Sequence, residues 1–423
     1  MTSVAAATTA PGPRLWPWSV FAALIAAAGL PIYIHAPKFY VDSYGLSLAA
    51  LGGVLALLRL IDVVQDPLLG WLAEAARAWR GMMVAGAVAV MALAMLGLFA
   101  VTPPIDPLWW FALTLAALFT AFSFLTIVFY ATGVEKAASL GSKGHLRLAG
   151  WRETGSLLGV SIAAVAPVAL ASVTGSPFAA FAIGFCLLAA VATLAMRGQW
   201  RGGRVQTPGA PLAMFRPALA DPLTRRLLLI ALLNAAPVAV TSTLFLFFVE
   251  SRLSAPGWEG PLLLLFFLSA AAAAPVWSRL AARFGEKRSL MAAMGLAIAA
   301  FLWAVALGSG DTLAFGLICI ASGAALGADL TLLPAIFARR LAHLGQGGEA
   351  AAFGLWSFVS KLSLALAAAT LLPALGAAGF VSGADNTEAA LRTLSLLYAA
   401  LPCGLKILAI ALLAATPITE SDR

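Results

Sequence analysis

One short segment carries three charged side chains inside an otherwise apolar stretch of the sequence. Positions 58–67 read LRLIDVVQDP. At ~100° per residue in a helix, Arg59, Asp62 and Asp66 lie within about 60° of one another on one face. Each charged side chain costs about 2.5–3.5 kcal/mol at the centre of a membrane helix. Partners inside the protein must therefore compensate these three charges.

The two aspartates suggest cation binding, and the pattern leaves three interpretations open. Asp62 and Asp66, a nearby hydroxyl group and the carbonyl of Val63, which Pro67 leaves without its helical donor, would form a site for a hard cation such as Na⁺. Alternatively, mutual repulsion and burial lead one of the two carboxyl groups to bind a proton. In the third interpretation, Arg59 neutralises one aspartate and Asp66 braces the turn that follows the helix.

Other charged residues also lie inside apolar stretches. They are Arg152, Glu153, Asp329, Lys361 and Lys406. Lys361 is flanked by apolar residues and needs a carboxylate partner, which Asp62 or Asp66 would supply across an interface between two halves. Such a pair could break when an ion or a solute arrives and so switch the protein between two states. We expect Lys406 to pack or to extend its ammonium group towards the membrane surface.

The elements that position these residues follow from the composition. Of 423 residues, 62% are hydrophobic and only 10% are charged, whereas about a quarter of a soluble domain is charged. Twelve apolar stretches have the length of about 20 residues or more that a bilayer span requires. They centre near Ala26, Leu60, Met91, Ala121, Ser161, Leu187, Ala239, Leu268, Leu296, Leu326, Leu364 and Leu401. We therefore predict an all-α polytopic membrane protein with twelve transmembrane helices.

The basic residues predict the orientation of the chain. Nineteen of the 26 lysines and arginines lie at the termini and in alternate loops on one side of the predicted spans. The loops on the other side hold only Lys38, Arg252 and Arg392. Because basic loops remain in the cytoplasm, both termini are expected there. The protein itself is expected in the plasma (inner) membrane. The net charge of +8 then reflects membrane topology, and we expect no nucleic-acid partner.

A polar segment near the midpoint divides the chain into two predicted bundles. Residues 197–226 contain six arginines and would form a cytoplasmic linker between a six-helix bundle at 1–196 and another at 227–423. Short basic turns at 68–77 and 277–288 occupy matching places in the two halves, which indicates an internal repeat. When a membrane protein is built from two such repeats, its substrate site lies near the bilayer midplane, between the halves.

Five segments in order along the chain resemble the glycoside–pentoside–hexuronide:cation symporter family, the melibiose-permease branch of the major facilitator superfamily. The segments are YVDSYGLS (40–47), RLIDVVQDPLLG (59–70), LAGWRE (148–153), GADLTLLPA (327–335) and FGLWSFVSKLSLAL (353–366). The resemblance implies the major facilitator fold and a cycle of alternating access.

The resemblance also implies roles for particular residues. Asp62 and Asp66 match the cation-binding aspartates of the family, and Ser123 falls near a hydroxyl position of that site. Arg59 and Arg152 match arginines at the substrate cavity, and Lys361 matches a lysine that couples solute to ion. Tyr130 and Trp356 are candidates to stack on a sugar ring. The carboxylates of galactoside-binding members align near Ala26 and Thr126, which makes galactoside recognition doubtful and favours an anionic solute such as a uronate.

We therefore expect a secondary active transporter that couples Na⁺ or H⁺ entry to uptake of a sugar, a sugar acid or a similar small polar solute. Its partners are the solute and the lipid bilayer, no cofactor is expected, and the chain is expected to be a monomer. An enzyme is not indicated, because the sequence has no nucleophile–base pair or phosphate-binding loop. Two alternatives are a lysolipid or amphiphile carrier of the same fold and a non-transporting assembly factor for membrane proteins.

Overall fold

The computed structural model describes residues 15–141, 144–200, 211–344, 348–381 and 385–418. Within these ranges the chain is helical and contains no strand. The helices are α1 (Trp16–Ala27), α2 (Leu30–Tyr44), α3 (Leu48–Ala75), α4 (Arg80–Phe99), α5 (Pro107–Ala138), α6 (Gly144–Leu170), α7 (Pro177–Met196), α8 (Pro211–Ala220), α9 (Pro222–Phe247), α10 (Glu259–Phe284), α11 (Glu286–Leu302), α12 (Thr312–Leu344), α13 (Glu349–Ala377), α14 (Glu388–Ser395) and α15 (Leu401–Ala415).

The helix lengths account for twelve membrane spans. In the described part of the chain, nine helical segments are long and apolar enough to cross a bilayer: α4, α5, α7, α9, α10, α11, α12, α13 and the continuous run Glu388–Ala415. Two more helices, α3 with 28 residues and α6 with 27, also have the length of a span. The shorter helices α1 and α2, with 12 and 15 residues, together have the length of one further span. The predicted all-α fold with twelve transmembrane helices is therefore confirmed.

The helical path of the first predicted span, which centres near Ala26, is interrupted at Ala28 and Gly29, between α1 and α2. Pro31 lies in the first turn of α2, where its missing N–H leaves no helical hydrogen bond unmade. The interruption therefore coincides with a proline at the start of the second helix.

Helix α9 begins inside the predicted linker at 197–226. Asp221 caps its N-terminus by accepting a hydrogen bond from the N–H of Thr224 at 2.8 Å. Helix α8 also lies in this segment, and residues 201–210 lie outside the described residues. The division into domains at 1–196, 197–226 and 227–423 stays a prediction.

The two halves of the chain pack most closely where α3 meets α13. A Cβ atom added to Gly70 would lie 2.8 Å from the carbonyl oxygen of Ala350 and 3.2 Å from the Cα atom of Gly354. Only glycine therefore allows the two backbones to approach this closely. Both glycines lie near the ends of their helices that the basic loops predict to face the cytoplasm.

An ionic network closes the same end. Arg77 lies 2.8 Å from Glu74 and 3.4 Å from Glu349, which begins α13, and it also pairs with Glu135 of α5. Arg80 adds a further contact of 3.3 Å to Glu135. The network joins side chains from both halves, so the halves are held together at the predicted cytoplasmic end.

Candidate functional site

Helix α3 turns its charged face into the protein and its apolar face outwards. Asp66 is fully buried and Asp62 is 4% exposed. Several large hydrophobic side chains elsewhere on the helix are exposed, namely Leu57, Leu60, Ile61, Val64 and Leu68. This pattern is the reverse of that in a water-soluble helix, and it places the two carboxylates against neighbouring helices while the apolar side chains face lipid.

Lys361 of α13 brings its ammonium group to both aspartates. Its Nζ atom lies 3.0 Å from Oδ2 of Asp66 and 3.6 Å from Oδ2 of Asp62. The ammonium also donates a hydrogen bond of 2.7 Å to the hydroxyl oxygen of Ser123 on α5. Ser357, one turn before Lys361 on α13, donates to Oδ2 of Asp66. The predicted ion site thus contains a cation that belongs to the chain itself.

A second layer of hydrogen bonds holds Asp62 in place. Gln65 donates from Nε2 to Oδ1 of Asp62 at 2.7 Å, and Thr120 of α5 donates to Oε1 of Gln65 at 3.1 Å. The three side chains form a relay from α5 to the carboxylate. Because Oδ1 is occupied by Gln65, the other carboxylate oxygen of Asp62 faces the ammonium group.

The site has the oxygen donors that a small hard cation prefers. Asp62, Asp66 and Ser123 contribute carboxylate and hydroxyl oxygens to the same ammonium group. Across the described ranges, no group of three or more His, Cys, Asp and Glu side chains could hold a metal ion. The role of these oxygens in binding a coupling ion stays a prediction.

A second charged cluster lies on α5 and α6. The Nε atom of Arg152 donates to Oε1 of Glu153 at 2.8 Å, and the Tyr130 hydroxyl donates to the same oxygen at 2.9 Å. The guanidinium carbon of Arg152 lies 3.6 Å above the Tyr130 ring, in cation–π contact. The Nη2 atom of Arg152 is buried and has no hydrogen-bond partner among the described residues. The role of Arg152 in solute binding stays a prediction.

Three other candidate residues lie around these clusters. Thr126 donates its hydroxyl proton to the carbonyl of Phe122 on its own helix at 2.7 Å. The ring of Trp356 packs on that of Phe337, with centroids 4.8 Å apart. Arg59 belongs to α3, but its side chain lies outside the described residues. The functional roles assigned to these residues remain predictions.

One buried ion pair was missed at the sequence level. Lys406 of α15 donates to Oδ2 of Asp329 on α12 and, at 2.7 Å, to Oδ1 of Asn234 on α9. All three residues are at least 93% buried, so Lys406 packs inside the protein and does not extend its ammonium group to the membrane surface. An opposite charge inside another span, at Asp329, is the signal that could have indicated the pair.

Comparisons with solved structures assign the fold. The structure is similar to that of a bacterial homologue of the iron transporter ferroportin in an outward-facing state, with TM-score 0.69 and 15% identity over 95% of this chain and 99% of that chain. It is also similar to the E. coli fucose:proton symporter FucP, with TM-score 0.66 and 13% identity over 96% and 100% of the two chains. A third similar structure is the human organic anion transporter MFSD10, with TM-score 0.61 and 18% identity over 94% and 98%.

The sequence itself identifies the family. No curated protein matches it, but the family model described as MFS/sugar transport protein matches residues 18–420. This match covers nearly all of the twelve spans and confirms the resemblance seen in the sequence motifs. The chain therefore belongs to the MFS/sugar transport protein family, and it is a multi-pass membrane transporter rather than an enzyme.

Proposed function

We propose that this transporter is a symporter that uses the entry of Na⁺ or H⁺ to take up a sugar or a similar small polar solute. The observation that carries the proposal is the Lys361 ammonium group, which lies among Asp62, Asp66 and Ser123. These are the side chains that the sequence predicts to bind the coupling ion. A site that already holds an internal cation has the chemistry to exchange it for an external one.

The exchange would couple the ion to the movement of the two halves. Asp66 belongs to the N-terminal half and Lys361 to the C-terminal half, so their ion pair ties the halves together. When Na⁺ or a proton binds to the aspartates in competition with the Lys361 ammonium group, this tie between α3 and α13 is weakened. The ion then biases an equilibrium between two arrangements of the halves because it binds one of them better.

The solute would bind between this site and the Arg152 cluster. Ser123 and Tyr130 are seven residues apart on α5, which places them on the same helix face about 10 Å apart along its axis. The side chain of Ser123 contacts Lys361, and that of Tyr130 contacts Arg152 and Glu153. A solute of the size of a sugar would reach both clusters, so Lys361 would respond to solute as well as to ion.

The charges of the two clusters favour a neutral solute over a uronate. Lys361 is paired with Asp66, and Arg152 is paired with Glu153. Because a carboxylate compensates each of these cations, neither presents a free positive charge to an anionic solute. Each cluster instead places hydrogen-bond donors beside acceptors. This arrangement suits the hydroxyl groups of a sugar, because they both donate and accept hydrogen bonds. The structurally similar fucose:proton symporter supports this class of solute.

Uptake into proteoliposomes under an imposed Na⁺ or H⁺ gradient tests the proposal. The panel contains neutral sugars, a uronate and a lysolipid, and it compares wild type with Asp62→Asn, Asp66→Asn and the matched control Asp385→Asn at an exposed position. We expect accumulation of a neutral sugar that requires one ion gradient, is abolished by the first two substitutions and is unchanged in the control.

The same experiment separates the alternatives. Uptake that ignores both gradients and survives Asp62→Asn and Asp66→Asn would reject symport. If a lysolipid were then the only compound moved, the amphiphile carrier would replace the sugar symporter. A preference for the uronate over every neutral sugar would reject the argument from paired charges.

A further inference from the structure

The C-terminal half contains a second buried polar site, apart from the ion site on α3. It is built on the ion pair between Asp329 of α12 and Lys406 of α15, together with Asn234 of α9. Asp329 and Lys406 line the same cavity, which is enclosed by α9, α10, α11, α12 and α15. The proposed symport does not use this cavity.

The ion pair leaves hydrogen-bonding capacity unfilled at the cavity. Oδ1 of Asp329 is buried, and no hydrogen-bond donor in the described residues reaches it. An ammonium group has three N–H donors, and Lys406 uses two of them on Asn234 and Asp329. One acceptor and one donor are thus left without a described partner. Because an unsatisfied buried charged group is costly, a bound molecule that supplies both contacts would be stabilised.

The hydroxyl groups in the cavity wall do not supply the missing donor. Ser322 donates its proton to the carbonyl of Ile318 at 2.6 Å. Thr241 donates to the carbonyl of Val238 at 3.1 Å. Both protons are therefore directed to the backbone of their own helices, and neither is donated to Oδ1 of Asp329.

The remaining wall determines the class of molecule that fits. It is mostly apolar, with Phe266, Ile298, Phe301 and Leu326 among its side chains. The opposite charges of Asp329 and Lys406 cancel, so the cavity carries no net charge. We infer that it binds a small uncharged molecule with an apolar body and one hydroxyl group. The hydroxyl would donate to Oδ1 of Asp329 and accept from Lys406.

The position of the cavity gives such a molecule access to the interface between the halves. Leu326 and Phe266 line the cavity and also pack in a cluster with Leu157 of α6, which belongs to the N-terminal half. Occupancy of the cavity would therefore act on the contact between α6 and α12 from the C-terminal side.

Equilibrium dialysis of the purified full-length protein in detergent micelles tests this site, with 2-naphthol as the probe and naphthalene as the analogue without a hydroxyl. Empty micelles correct for partitioning. We expect one saturable site for 2-naphthol in the wild type and binding of naphthalene that is about ten-fold weaker, because naphthalene cannot bond to Asp329. Equal affinity for the two probes, or no saturable binding of 2-naphthol, would overturn the inference.

Two variants test whether the probe binds in the cavity, and a third variant serves as the control. Ala297→Leu fills the cavity but leaves the ion pair intact, whereas Asp329→Asn removes the charged acceptor. Both should weaken 2-naphthol binding about ten-fold or more. Ala299→Leu adds the same side chain at an exposed position of α11 and should bind like the wild type. If Ala297→Leu also binds like the wild type, the cavity is not the site, whether or not Asp329→Asn folds.

Discussion

Lys361 and Asp66 come from opposite halves of the chain, and their charged atoms meet at 3.0 Å where Asp66 is completely buried. Asp66 also accepts a hydrogen bond from Ser357, which lies on the same helix as Lys361. The carboxylate therefore has both of its partners on α13. The ion pair is at once a part of the candidate ion site and a contact between the two halves, and this double role can be tested by removing either charge.

Removal of Lys361 alone should destabilise the protein more than removal of Lys361 and Asp66 together. Lys361→Met leaves the buried carboxylates of Asp62 and Asp66 without the ammonium group between them, and loss of one partner of a buried ion pair costs about 3–5 kcal/mol. The double substitution Lys361→Met with Asp66→Ala removes one of these two carboxylates and should recover part of this loss. Thermal unfolding in detergent measures both effects. A double variant that is no more stable than Lys361→Met would contradict this account of the pair.

Gln65 should set the affinity of the ion site. Gln65→Leu removes the hydrogen bond that fixes Oδ1 of Asp62, and a hydrogen bond to a charged group is worth enough to change affinity about ten-fold. The concentration of the coupling ion at half-maximal uptake should therefore rise about ten-fold. Thr120→Val removes only the outer bond of the relay and should give a smaller rise. An unchanged ion dependence in Gln65→Leu would show that Asp62 does not need this support.

Gly70→Ala should loosen the closed end of the protein. The added Cβ atom would lie 2.8 Å from a backbone oxygen of α13, and the backbone cannot yield as a flexible side chain would. Hydrogen–deuterium exchange at residues 349–353 should become faster, and the melting temperature should fall. Gly52→Ala, on the same helix but with no atom within 4 Å of its added Cβ, is the control. If residues 349–353 exchange hydrogen at the same rate in both variants, the close approach of α3 and α13 does not stabilise this end of the protein.

The cap of α9 should contribute a stability that depends on pH. Hydrogen bonds from Arg340, followed by those from Thr224, lower the pKa of Asp221 to about 2. Because this pKa lies below the ordinary value of 3.8, the carboxylate stabilises the folded state at neutral pH. The contribution is lost as the pH falls from about 4 through 2. The difference in melting temperature between wild type and Asp221→Ala should therefore shrink over this range. A difference that is constant from pH 7 to pH 2 would contradict the assignment.

The fold could be predicted from the sequence because the bilayer imposes a simple rule on length and composition. The predicted apolar stretches lie in helices of the structure, and the first of them is interrupted at Ala28 and Gly29 before α2. Convergence of Asp62, Asp66 and Lys361 could also be anticipated, because charges inside spans must find partners.

Other features could not be predicted without knowing how the helices pack. The pair of Lys406 and Asp329 joins residues 77 positions apart, and no local motif marks the lysine. Which of several intramembrane charges meet depends on how the helices pack, and a list of charges does not contain this information. The pairing of Arg152 with Glu153 likewise compensates the charge of the guanidinium group, which we propose to lie near the solute.

The ion pair between Asp66 of α3 and Lys361 of α13 has an electrical consequence for the proposed cycle. Taken together, Asp62, Asp66 and Lys361 carry one net negative charge, and one bound monovalent cation makes the group neutral. The membrane potential, worth about 2.3 kcal/mol for a unit charge crossing 100 mV, then acts on the unloaded carrier rather than on the loaded one. A potential that is negative inside would drive the unloaded site back towards the outside, so voltage would accelerate turnover by speeding the return step.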